Sequence, residues 1–454
     1  MLSNSKPFKK LLIANRGEIA IRIIRAAREL GIKTVAVHST ADSESLHVKL
    51  ADESVCIGGP FPKDSYLNVM ALISAATLTG CDSLHPGYGF LSEKSVLAEL
   101  CSKVGITFIG PKASIIDSLG DKDEAKKIAK SIGIPTVPGS EHGIEACDEA
   151  YDLACSIGFP VLIKACAGGG GRGMRVVEEK SDFKEQFLNA QQEALSAFGD
   201  GSLLIERYIS RAKHIEAQIF GDKHGNCIHF GLRECSAQRR FQKIIEEALP
   251  SSLTQDLQIK IATDAVKLAK HLGYESLGTV EFIFDCDSQQ HYFLEVNTRI
   301  QVEHPVTEEI TRIDLVKLQI LAASGEKLTL EQNAVSFRGH CIELRVNAED
   351  SVNLLPQSGK IEFYHQPSGF GVRVDSFIYS GCSIPPYYDS LIAKLICWAE
   401  DRQNCISKAT WALNEMAVIG VETNQQFLQK ILKTDEFISG EYTTKLIECV
   451  SQCA

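Results

Sequence analysis

The sequence predicts a multidomain α/β and α+β protein, and three observations lead to that fold class. Short apolar strands alternate with amphipathic helices over the first hundred or so residues. A glycine-rich loop lies between two strands in the middle of the chain, and short strands followed by helices make up the last part. Regular alternation of strands and helices predicts a doubly wound parallel sheet, whereas runs of strands predict antiparallel layers.

The first predicted domain, residues 1–120, is the α/β part. Its opening strand KKLLIA turns through NRGE into an apolar-faced helix, and the same alternation continues as far as ITFIGP. The turn has one glycine and lacks GxGxxG, so a dinucleotide fingerprint is absent. The Gly/Pro loop HPGYGFLSE (85–93) follows a strand end, which is where open α/β sheets bind ligands.

Two further domains are predicted after it, at residues 121–335 and 336–454. The middle one begins with a charged helix and contains the strand FPVLIKAC, the loop AGGGGRGM and the strand MRVV. The last domain reads as mainly antiparallel strands (HCIELRVN, GKIEFYH, FGVRVD) followed by helices around 403–433.

Composition excludes several classes of protein. The 454 residues carry a net charge of −11, which argues against nucleic acid or an anionic membrane as the main partner. Fifteen cysteines without any CxxC pair indicate a reducing compartment and no zinc site. The N-terminus lacks a signal-peptide core, and no apolar run approaches the ~18 residues of a membrane span. We therefore expect a soluble, cytoplasmic protein.

The most informative segment is FLEVNTRIQVEHPVTEE (293–309). Polar side chains occupy every second position, and apolar ones lie between them. An extended strand points alternate side chains to one face, so this face would suit a cation and an anionic substrate together. Full extension at ~3.3 Å per residue would separate the first and last of them by roughly 26 Å, so we expect a bend after Thr298. The five polar residues are Glu295, Asn297, Arg299, Gln301 and Glu303.

A second acid supports a metal site. The strand TVEFIF (279–284) is interrupted by Glu281, and the polar run DCDSQQ turns the chain back into HYFLEVN. In such a hairpin Glu281 and Glu295 face each other with Cβ atoms ~5 Å apart, where like charges repel unless a cation lies between them. Two carboxylates and an amide oxygen suit Mg²⁺ rather than zinc. The alternative is an exposed hairpin whose acids face water.

Three other segments carry candidate residues, each with an ordinary alternative. AGGGGRGM, preceded by Lys164, can bring backbone N–H groups close to phosphates, although a flexible surface turn reads the same way. ECSAQRRFQKIIEE (234–247) offers Lys243 opposite the metal, but it could be a solvated charged segment. Arg345 lies among apolar residues and needs an anionic partner, either a structural carboxylate such as Glu343 or Glu349, or a substrate.

Taken together, these segments resemble one family, the biotin carboxylase component of biotin-dependent carboxylases in the ATP-grasp superfamily. The resemblance runs from about Leu11 to the last 30 residues, and EVNTRIQVEHPVTE is its most diagnostic string. It implies ATP- and bicarbonate-dependent carboxylation of biotin, with Mg²⁺ (or Mn²⁺) as the metal ion. It also implies a mobile lid at about residues 137–208 of the middle domain. The other strings are IANRGEIAIRI, HPGYGFLSE, IKACAGGGGRGMRVV, LIERYI, RECSAQRR, LRVNAED and PPYYDSLIAKLI.

The resemblance also implies roles for single residues. Glu303 would be the general base, and Lys243, Arg299 and Arg345 would be further catalytic residues; Arg345 and Tyr88 would lie at biotin. Metal ligands would be Glu281, Glu295 and Asn297, and bicarbonate would contact Lys243, Arg299, Gln301, Val302 and Glu303. The implied ATP contacts are Lys122, Lys164, Gly168, Gly169, Gly170, Gly171, Glu206, Arg207, Ile209, His214, Gln238, Glu281 and Glu295.

Partners follow from the same resemblance. The chain has no AMKM biotin-attachment string and lacks the length of a carboxyltransferase. It is therefore expected to act on a separate biotin carboxyl carrier protein, together with carboxyltransferase subunits, in the acetyl-CoA carboxylase of fatty acid synthesis. A homodimer is implied, with an interface at Arg25, Glu29, Phe370 and Arg373, although these four read equally as ordinary surface and packing residues.

One departure and two alternative functions complete the sequence reading. Phe241 stands where the family commonly has a histidine, so one polar nucleotide contact is in doubt. The alternative functions are another ATP-grasp carbon–nitrogen ligase and a catalytically silent nucleotide-binding scaffold of a carboxylase complex.

Overall fold

The computed structural model describes residues 7–166, 174–240, 242–350 and 353–452. Its N-terminal part holds a parallel five-stranded sheet in the order β3-β2-β1-β4-β5, as the sequence predicts. No helix in these described ranges has the length and apolar character needed to cross a membrane. The elements are β1 Lys10–Ile13, α1 Gly17–Glu29, β2 Lys33–Ser39, α2 Leu46–Leu50, β3 Glu53–Gly58, α3 Val69–Leu78, β4 Ser83–His85, α4 Ser95–Lys103, β5 Thr107–Phe108 and α5 Ala113–Gly120.

The strand order of this sheet reverses between β1 and β4, and the two loops that leave their carboxyl ends lie together. Asn15, after β1, donates from Nδ2 to the carbonyls of Pro86 and Tyr88, both at 2.7 Å. Gly87 has φ +63°, and a Cβ there would lie 2.8 Å from the Asn15 amide nitrogen. A side chain would therefore push the HPGYG loop off Asn15 at the ligand-binding edge of the sheet.

A small three-stranded sheet in the order β7-β6-β8 follows, and both of its strand pairs are antiparallel. β6 and β7 flank the glycine loop, as the sequence predicts. Helices α7 and α8 cover this sheet with a small apolar core of their own. The elements of this part are α6 Lys122–Ser131, α7 Cys147–Ile157, β6 Val161–Ala165, β7 Met174–Val177, α8 Phe183–Phe198 and β8 Leu203–Arg207.

The largest element is an eight-stranded antiparallel sheet in the order β13-β12-β9-β10-β11-β14-β19-β17. It crosses the boundary predicted at 335/336 without a break, because β11 pairs with β14. Helix α9 packs against β9 and β10. Its strands are β9 Ala212–Gly221, β10 Cys227–Arg239, β11 Gln242–Ala248, β12 Ser276–Asp285, β13 Gln290–Asn297, β14 His340–Asn347, β17 Val372–Ser376 and β19 Leu391–Ala399; the helices of this stretch are α9 Gln255–His271, α10 His304–Thr311 and α11 Leu315–Ala323.

The rest of the chain packs helices and two short strand pairs against the far end of that sheet. Apolar residues of β14 and β19 form one core with helices α12, α13 and α15. This arrangement agrees with the predicted strands followed by helices. The remaining elements are β15 Gly359–Lys360, β16 Phe363–His365, β18 Ser383–Ile384, α12 Arg402–Glu415, β20 Ala417–Ile419, α13 Gln425–Leu432, α14 Asp435–Ser439 and α15 Leu446–Gln452.

Candidate active site

The hairpin of β12 and β13 brings the two predicted acids together. Glu281 pairs with Glu295, and Thr279 pairs with Asn297, in an antiparallel register. β13 ends at Asn297, the chain then turns, and helix α10 begins at His304. The bend predicted after Thr298 is therefore present, and it brings the later polar residues back over the acids instead of carrying them away.

Amide and guanidinium groups from this bend surround Glu281. Asn297 and Gln301 each donate from their amide nitrogen to Glu281 Oε1 at 2.8 Å. Arg299 donates from Nη2 to Asn297 Oδ1 at 2.9 Å, and its Nε lies 3.0 Å from Glu93 Oε2 of the HPGYGFLSE loop. Asn297, Arg299 and Gln301 thus form one hydrogen-bonded group with Glu281. The alternative of an exposed hairpin is wrong for Glu281, which is only 4% exposed.

Lys243 lies at the centre of three carboxylates. Its Nζ donates to Glu216 at 2.7 Å, to Glu303 at 2.7 Å and to Glu281 at 3.0 Å. Burial disfavours the ammonium form, but the three acids outweigh it and hold the pKa of Lys243 well above its ordinary value. The described residues of segment 234–247 lie mostly in the largely buried strands β10, which ends at Arg239, and β11, which begins at Gln242. The segment is therefore not a solvated charged stretch.

Glu216 is a site residue that the sequence reasoning missed. It is fully buried, and it pairs with Glu281 across β9 and β12. Three acids, Glu216, Glu281 and Glu295, therefore lie side by side on three neighbouring strands. The signal was available, because AKHIEAQIF carries a single acid in an apolar strand, as TVEFIF does around Glu281.

Arg233 is the second residue that was missed, and it supports this acid row from within the sheet. It is fully buried and donates to Glu216, Gln218, Thr279, Thr307 and Gln301 at 2.6 to 3.1 Å. Since its Nη2 donates to the Gln301 side-chain oxygen, the amide nitrogen of Gln301 is directed at Glu281. Its position in RECSAQRR distinguishes it from the neighbouring arginines only once the strand register is known.

Glu303 lies between two cations. It accepts from Lys243, and at 2.9 Å from Arg345 Nη2. Burial and the nearby Glu216 carboxylate would raise the pKa of Glu303, but Lys243, Arg345 and Arg233 outweigh them and hold it below its ordinary value. Glu303 is therefore ionised at neutral pH and can accept a proton from a substrate placed beside it.

Arg345 has different partners from the two carboxylates suggested by spacing. Its Nε donates to Glu246 Oε1 at 2.6 Å, and its Nη2 contacts Glu303. Glu246 is brought alongside by the pairing of β11 with β14, where it faces Glu343. Burial raises the pKa of Glu246 to about 7, with only partial compensation by Arg345. Glu349, instead, accepts from Asn347 and Ser390.

A second group of charges surrounds Glu206. Lys126 Nζ donates to it at 2.5 Å, and Lys164 contacts its other oxygen. Burial would raise the pKa of Glu206, but these two ammonium groups outweigh it and lower the pKa. Lys122, four residues before Lys126 on α6, pairs with Glu295 at 2.7 Å. Lys126 was missed, although residues four apart share a helix face.

His214 and Gln238 connect this group to the acid row. His214 Nε2 lies 2.9 Å from Glu281 Oε2, and its Nδ1 lies 2.8 Å from the Gln238 side-chain nitrogen. The predicted nucleotide residues and the predicted metal ligands are thus in direct contact. Ser236 fixes the His214 backbone by accepting from its N–H at 3.0 Å.

One large open cleft holds nearly all of the predicted site residues. Tyr88 reaches it from the N-terminal part, where its hydroxyl donates to Glu18 at 2.5 Å. The glycines Gly168–Gly171 and Phe241 lie outside the described residues. The predicted residues that line the cleft are Tyr88, Lys122, Lys164, Glu206, Arg207, Ile209, His214, Gln238, Lys243, Glu281, Glu295, Asn297, Arg299, Gln301, Val302, Glu303 and Arg345.

The residues proposed for the dimer interface lie away from this cleft. Arg25 is exposed, and exposed Glu29 pairs with Lys317. The Phe370 ring is 84% exposed, whereas Arg373 is held by Glu308 and Asp375. The structure separates them from the catalytic candidates and leaves the interface as a prediction.

The donor set of the hairpin fits a divalent cation with oxygen preference. Glu281 and Glu295 face each other in register, and the Asn297 side-chain oxygen follows two positions along the same strand. Each carboxylate has an ammonium partner here: Lys243 contacts Glu281, and Lys122 contacts Glu295. Hard oxygen donors that carry negative charge and lie close together suit Mg²⁺ or Mn²⁺.

The fold and the cleft together define a class of protein, the ATP-dependent ligases with an ATP-grasp architecture. Family models match almost the whole chain: "Biotin carboxylase, N-terminal domain" at residues 7–116, "Carbamoyl-phosphate synthase L chain, ATP binding domain" at 121–331 and "Biotin carboxylase C-terminal domain" at 343–449.

Similar proteins narrow the class. Biotin carboxylase 1 of Bacillus subtilis is 52% identical, over 97% of this chain and 98% of its own. A pyruvate carboxylase subunit of Methanothermobacter thermautotrophicus is 49% identical, over 97% and 90%. The biotin carboxylase domain dimer of Hydrogenobacter thermophilus 2-oxoglutarate carboxylase, solved with MgADP, ADP and bicarbonate, matches with a TM-score of 0.91 and 48% identity, over 98% of each chain. The chain belongs to the biotin carboxylase family.

Proposed function

We propose that the chain uses ATP and bicarbonate to carboxylate biotin on a biotin carboxyl carrier protein, through carboxyphosphate. The observation that carries this proposal is the Lys243–Glu303–Arg345 group, in which a buried ionised carboxylate is held between two cations. It lies in the same cleft as Lys164 and Glu206. The proposed anion site, the proposed general base and the proposed nucleotide site therefore lie in one cleft.

The nucleotide is assigned to the side of the cleft formed by the small sheet. Lys122 and Lys164 would contact phosphates, and Gly168–Gly171 would cover them. Metal ligation is assigned to Glu281, Glu295 and Asn297, where a bound Mg²⁺ or Mn²⁺ would neutralise phosphate charge. Residues of β8, β9 and β10 and of the loop after β8 would bind adenine and ribose: Glu206, Arg207, Ile209, His214 and Gln238.

Bicarbonate is assigned to Lys243, Arg299, Gln301 and Val302, next to Glu303. Glu303 takes the proton of bicarbonate, and the resulting oxyanion attacks the γ-phosphate as ADP leaves. Carboxyphosphate then breaks its C–O bond to give CO₂ and phosphate. The phosphate removes the N–H proton of the biotin ureido group, and that nitrogen attacks CO₂. The guanidinium of Arg345 would stabilise the enolate-like ureido oxygen, with Tyr88 beside biotin.

The direct test is bicarbonate-dependent phosphate release by the purified protein, with and without free biotin, across a magnesium titration. We expect release to require magnesium and to rise with biotin. Phosphate release that does not change when biotin is added would favour another ATP-grasp carbon–nitrogen ligase. Release at the background rate under all conditions would establish a silent scaffold.

Arg345→Ala is expected to separate the two half-steps of the reaction. Formation of carboxyphosphate, measured as bicarbonate-dependent phosphate release without biotin, should fall at least about tenfold less than transfer to biotin, because Arg345 is assigned to the enolate oxygen. Carboxybiotin is quantified with ¹⁴C-bicarbonate. Equal loss of both activities would contradict the assignment. Arg211→Ala, which removes an exposed guanidinium outside the cleft lining, serves as the control.

Lys164→Ala is expected to raise the apparent KM for ATP by about tenfold, the cost of losing one charge-assisted phosphate contact. The matched control is Lys184→Ala, an exposed lysine of the same part that pairs with Asp148 and should leave the KM unchanged. Steady-state phosphate release at saturating bicarbonate measures both. An unchanged KM in the Lys164 variant would remove it from the phosphate site.

We assign the carboxybiotin to acetyl-CoA carboxylase and fatty acid synthesis, with the chain acting as a cytoplasmic homodimer beside carboxyltransferase subunits. Separate domains at 1–120, 121–335 and 336–454, with a lid at about 137–208, belong to the same proposal. Relatives include a pyruvate carboxylase subunit. In the test, fractions that contain carboxyltransferase are therefore supplied with acetyl-CoA, pyruvate or 2-oxoglutarate, and the transfer of ¹⁴C to the product is measured. If ¹⁴C appears only in the carboxylation product of pyruvate or of 2-oxoglutarate, that substrate replaces acetyl-CoA in the assignment. Light scattering measures the molar mass in solution and so tests the homodimer.

A further inference from the structure

Lys394 is a buried cation that has no role in the reaction assigned above. It lies on β19 with its side chain fully buried, and it pairs across strands with Arg345 on one side and Asp375 on the other. A buried ammonium is costly unless it is well paired. The groups that contact the Lys394 ammonium therefore indicate which parts of the molecule it stabilises.

The Lys394 ammonium connects two loops of the cleft. Its Nζ donates to the Val302 carbonyl at 2.8 Å and lies 3.0 Å from Glu18 Oε1. Glu18, in the first turn of α1, is 3% exposed, and the same Oε1 accepts from the Tyr88 hydroxyl at 2.5 Å. Its other oxygen, Oε2, has no hydrogen-bond partner among the residues that the structure describes. Lys394 and Tyr88 therefore both contact the same atom, Glu18 Oε1.

The four residues form a continuous path from the HPGYG loop to the 298–303 loop. Tyr88 belongs to the N-terminal part of the chain, whereas Val302 directly precedes Glu303 in the bend after β13. A charge-assisted hydrogen bond in a water-excluded position is stronger than one at the surface. It can therefore hold the Val302 peptide against thermal displacement, which matters because small misplacements of reacting groups reduce rates strongly.

We propose that Lys394 is a positioning residue that fixes the Val302 segment for bicarbonate and couples it, through Glu18, to Tyr88. The inference rests on the proposed function, since that function places bicarbonate at Val302 and biotin at Tyr88. It predicts a specific loss of bicarbonate binding. If the ion pair were purely structural, its loss would instead weaken the binding of all substrates and lower the stability of the protein.

The test uses the double variant Lys394→Met/Glu18→Gln in the full chain. Both replacements roughly keep the side-chain size and remove both charges of the Lys394–Glu18 contact, so neither member of that contact is left as a buried ion without the other. The KM for bicarbonate, from phosphate release at saturating ATP, should rise at least about tenfold. The Kd for ADP, from calorimetry, should stay within about twofold. An unchanged bicarbonate KM, or an equal weakening of ADP, overturns the proposal.

A matched control is the buried pair Lys213 and Glu234, whose contact is 2.8 Å and whose lysine also donates to a backbone carbonyl, that of Gly440. Lys213→Met/Glu234→Gln should cost similar stability and leave the bicarbonate KM within about twofold. A comparable rise in this control overturns the proposal. Should the Lys394 double variant fail to fold, Glu18→Gln alone carries the test, and it should raise the KM at least about threefold; an unchanged KM overturns it.

Tyr88→Phe tests the coupling, because it removes only the hydroxyl that reaches Glu18. In the native background it should raise the bicarbonate KM several-fold, and in the double variant it should have no further effect. The same factor in both backgrounds would refute the coupling. An unaltered protein that shows no bicarbonate-dependent release refutes the proposed function itself, which is a different outcome from an active protein with unaffected variants.

Discussion

Replacing Glu303 by glutamine is expected to lower kcat for biotin carboxylation about 100-fold to 10,000-fold, the usual contribution of a positioned general base. The amide keeps the size of the side chain, and its one oxygen can still accept from either Lys243 or Arg345, which bind different oxygens of Glu303. It cannot take the bicarbonate proton. The Kd for ADP should stay within about twofold, since Glu303 is assigned to the anion and not to a phosphate. Formation of ¹⁴C-carboxybiotin measures kcat, and calorimetry measures the Kd for ADP.

Glu247→Gln is the matched control for this variant. Glu247 is also a buried glutamate with a cationic partner, Arg402, and it contacts the His340 ring as well. It lies outside the cleft lining. It should lower stability and leave kcat within about twofold. If Glu303→Gln weakened nucleotide binding as much as carboxylation, its role as a base would be untenable.

Arg233→Met is expected to produce the largest loss of stability, about 3–5 kcal/mol in the free energy of unfolding, the usual cost of removing one partner of a buried ion pair. The guanidinium is fully buried, and its loss would remove the donor to Glu216 Oε1 and the donors to four neutral side-chain oxygens, leaving Lys243 as the remaining cation at Glu216. Urea unfolding followed by circular dichroism measures the change.

Arg211→Met provides the comparison for this experiment. Arg211 also pairs with an acid, Asp287 at 3.1 Å, but both side chains are 56% exposed. Exposed pairs contribute about 0–1 kcal/mol, so this variant should unfold nearly as the unaltered protein does. Similar losses in the two variants would mean that the Arg233 contacts carry little of the stability of the sheet.

The acid hairpin could be predicted because its information is local. Alternation along 293–303 and the polar turn at 285–290 are enough to place Glu281 opposite Glu295, and the distance argument is enough to require the bend. Glu216 carried the same kind of local signal and was overlooked. The resemblance to a known family then supplied the roles of residues whose own segments left alternatives open.

The partners of Arg345 could not be predicted in the same way. Glu246 lies 99 residues earlier in the chain, and it meets Arg345 only because β11 and β14 pair in one register. A shift of one residue would turn each side chain to the opposite face of the sheet. Arg233 is a similar case, since its five acceptors come from β9, β12, α10 and the loop before α10, which are distant in sequence.

The continuous eight-stranded sheet has a practical consequence for anyone who wishes to dissect the molecule. A fragment that stops at residue 335 would lose β14, and the backbone of β11 at Ile245–Ala248 would be left as a bare edge. Open edges of apolar strands recruit other chains, so such a fragment should precipitate during expression. Useful fragments would have to be cut elsewhere, or both halves would have to be co-produced.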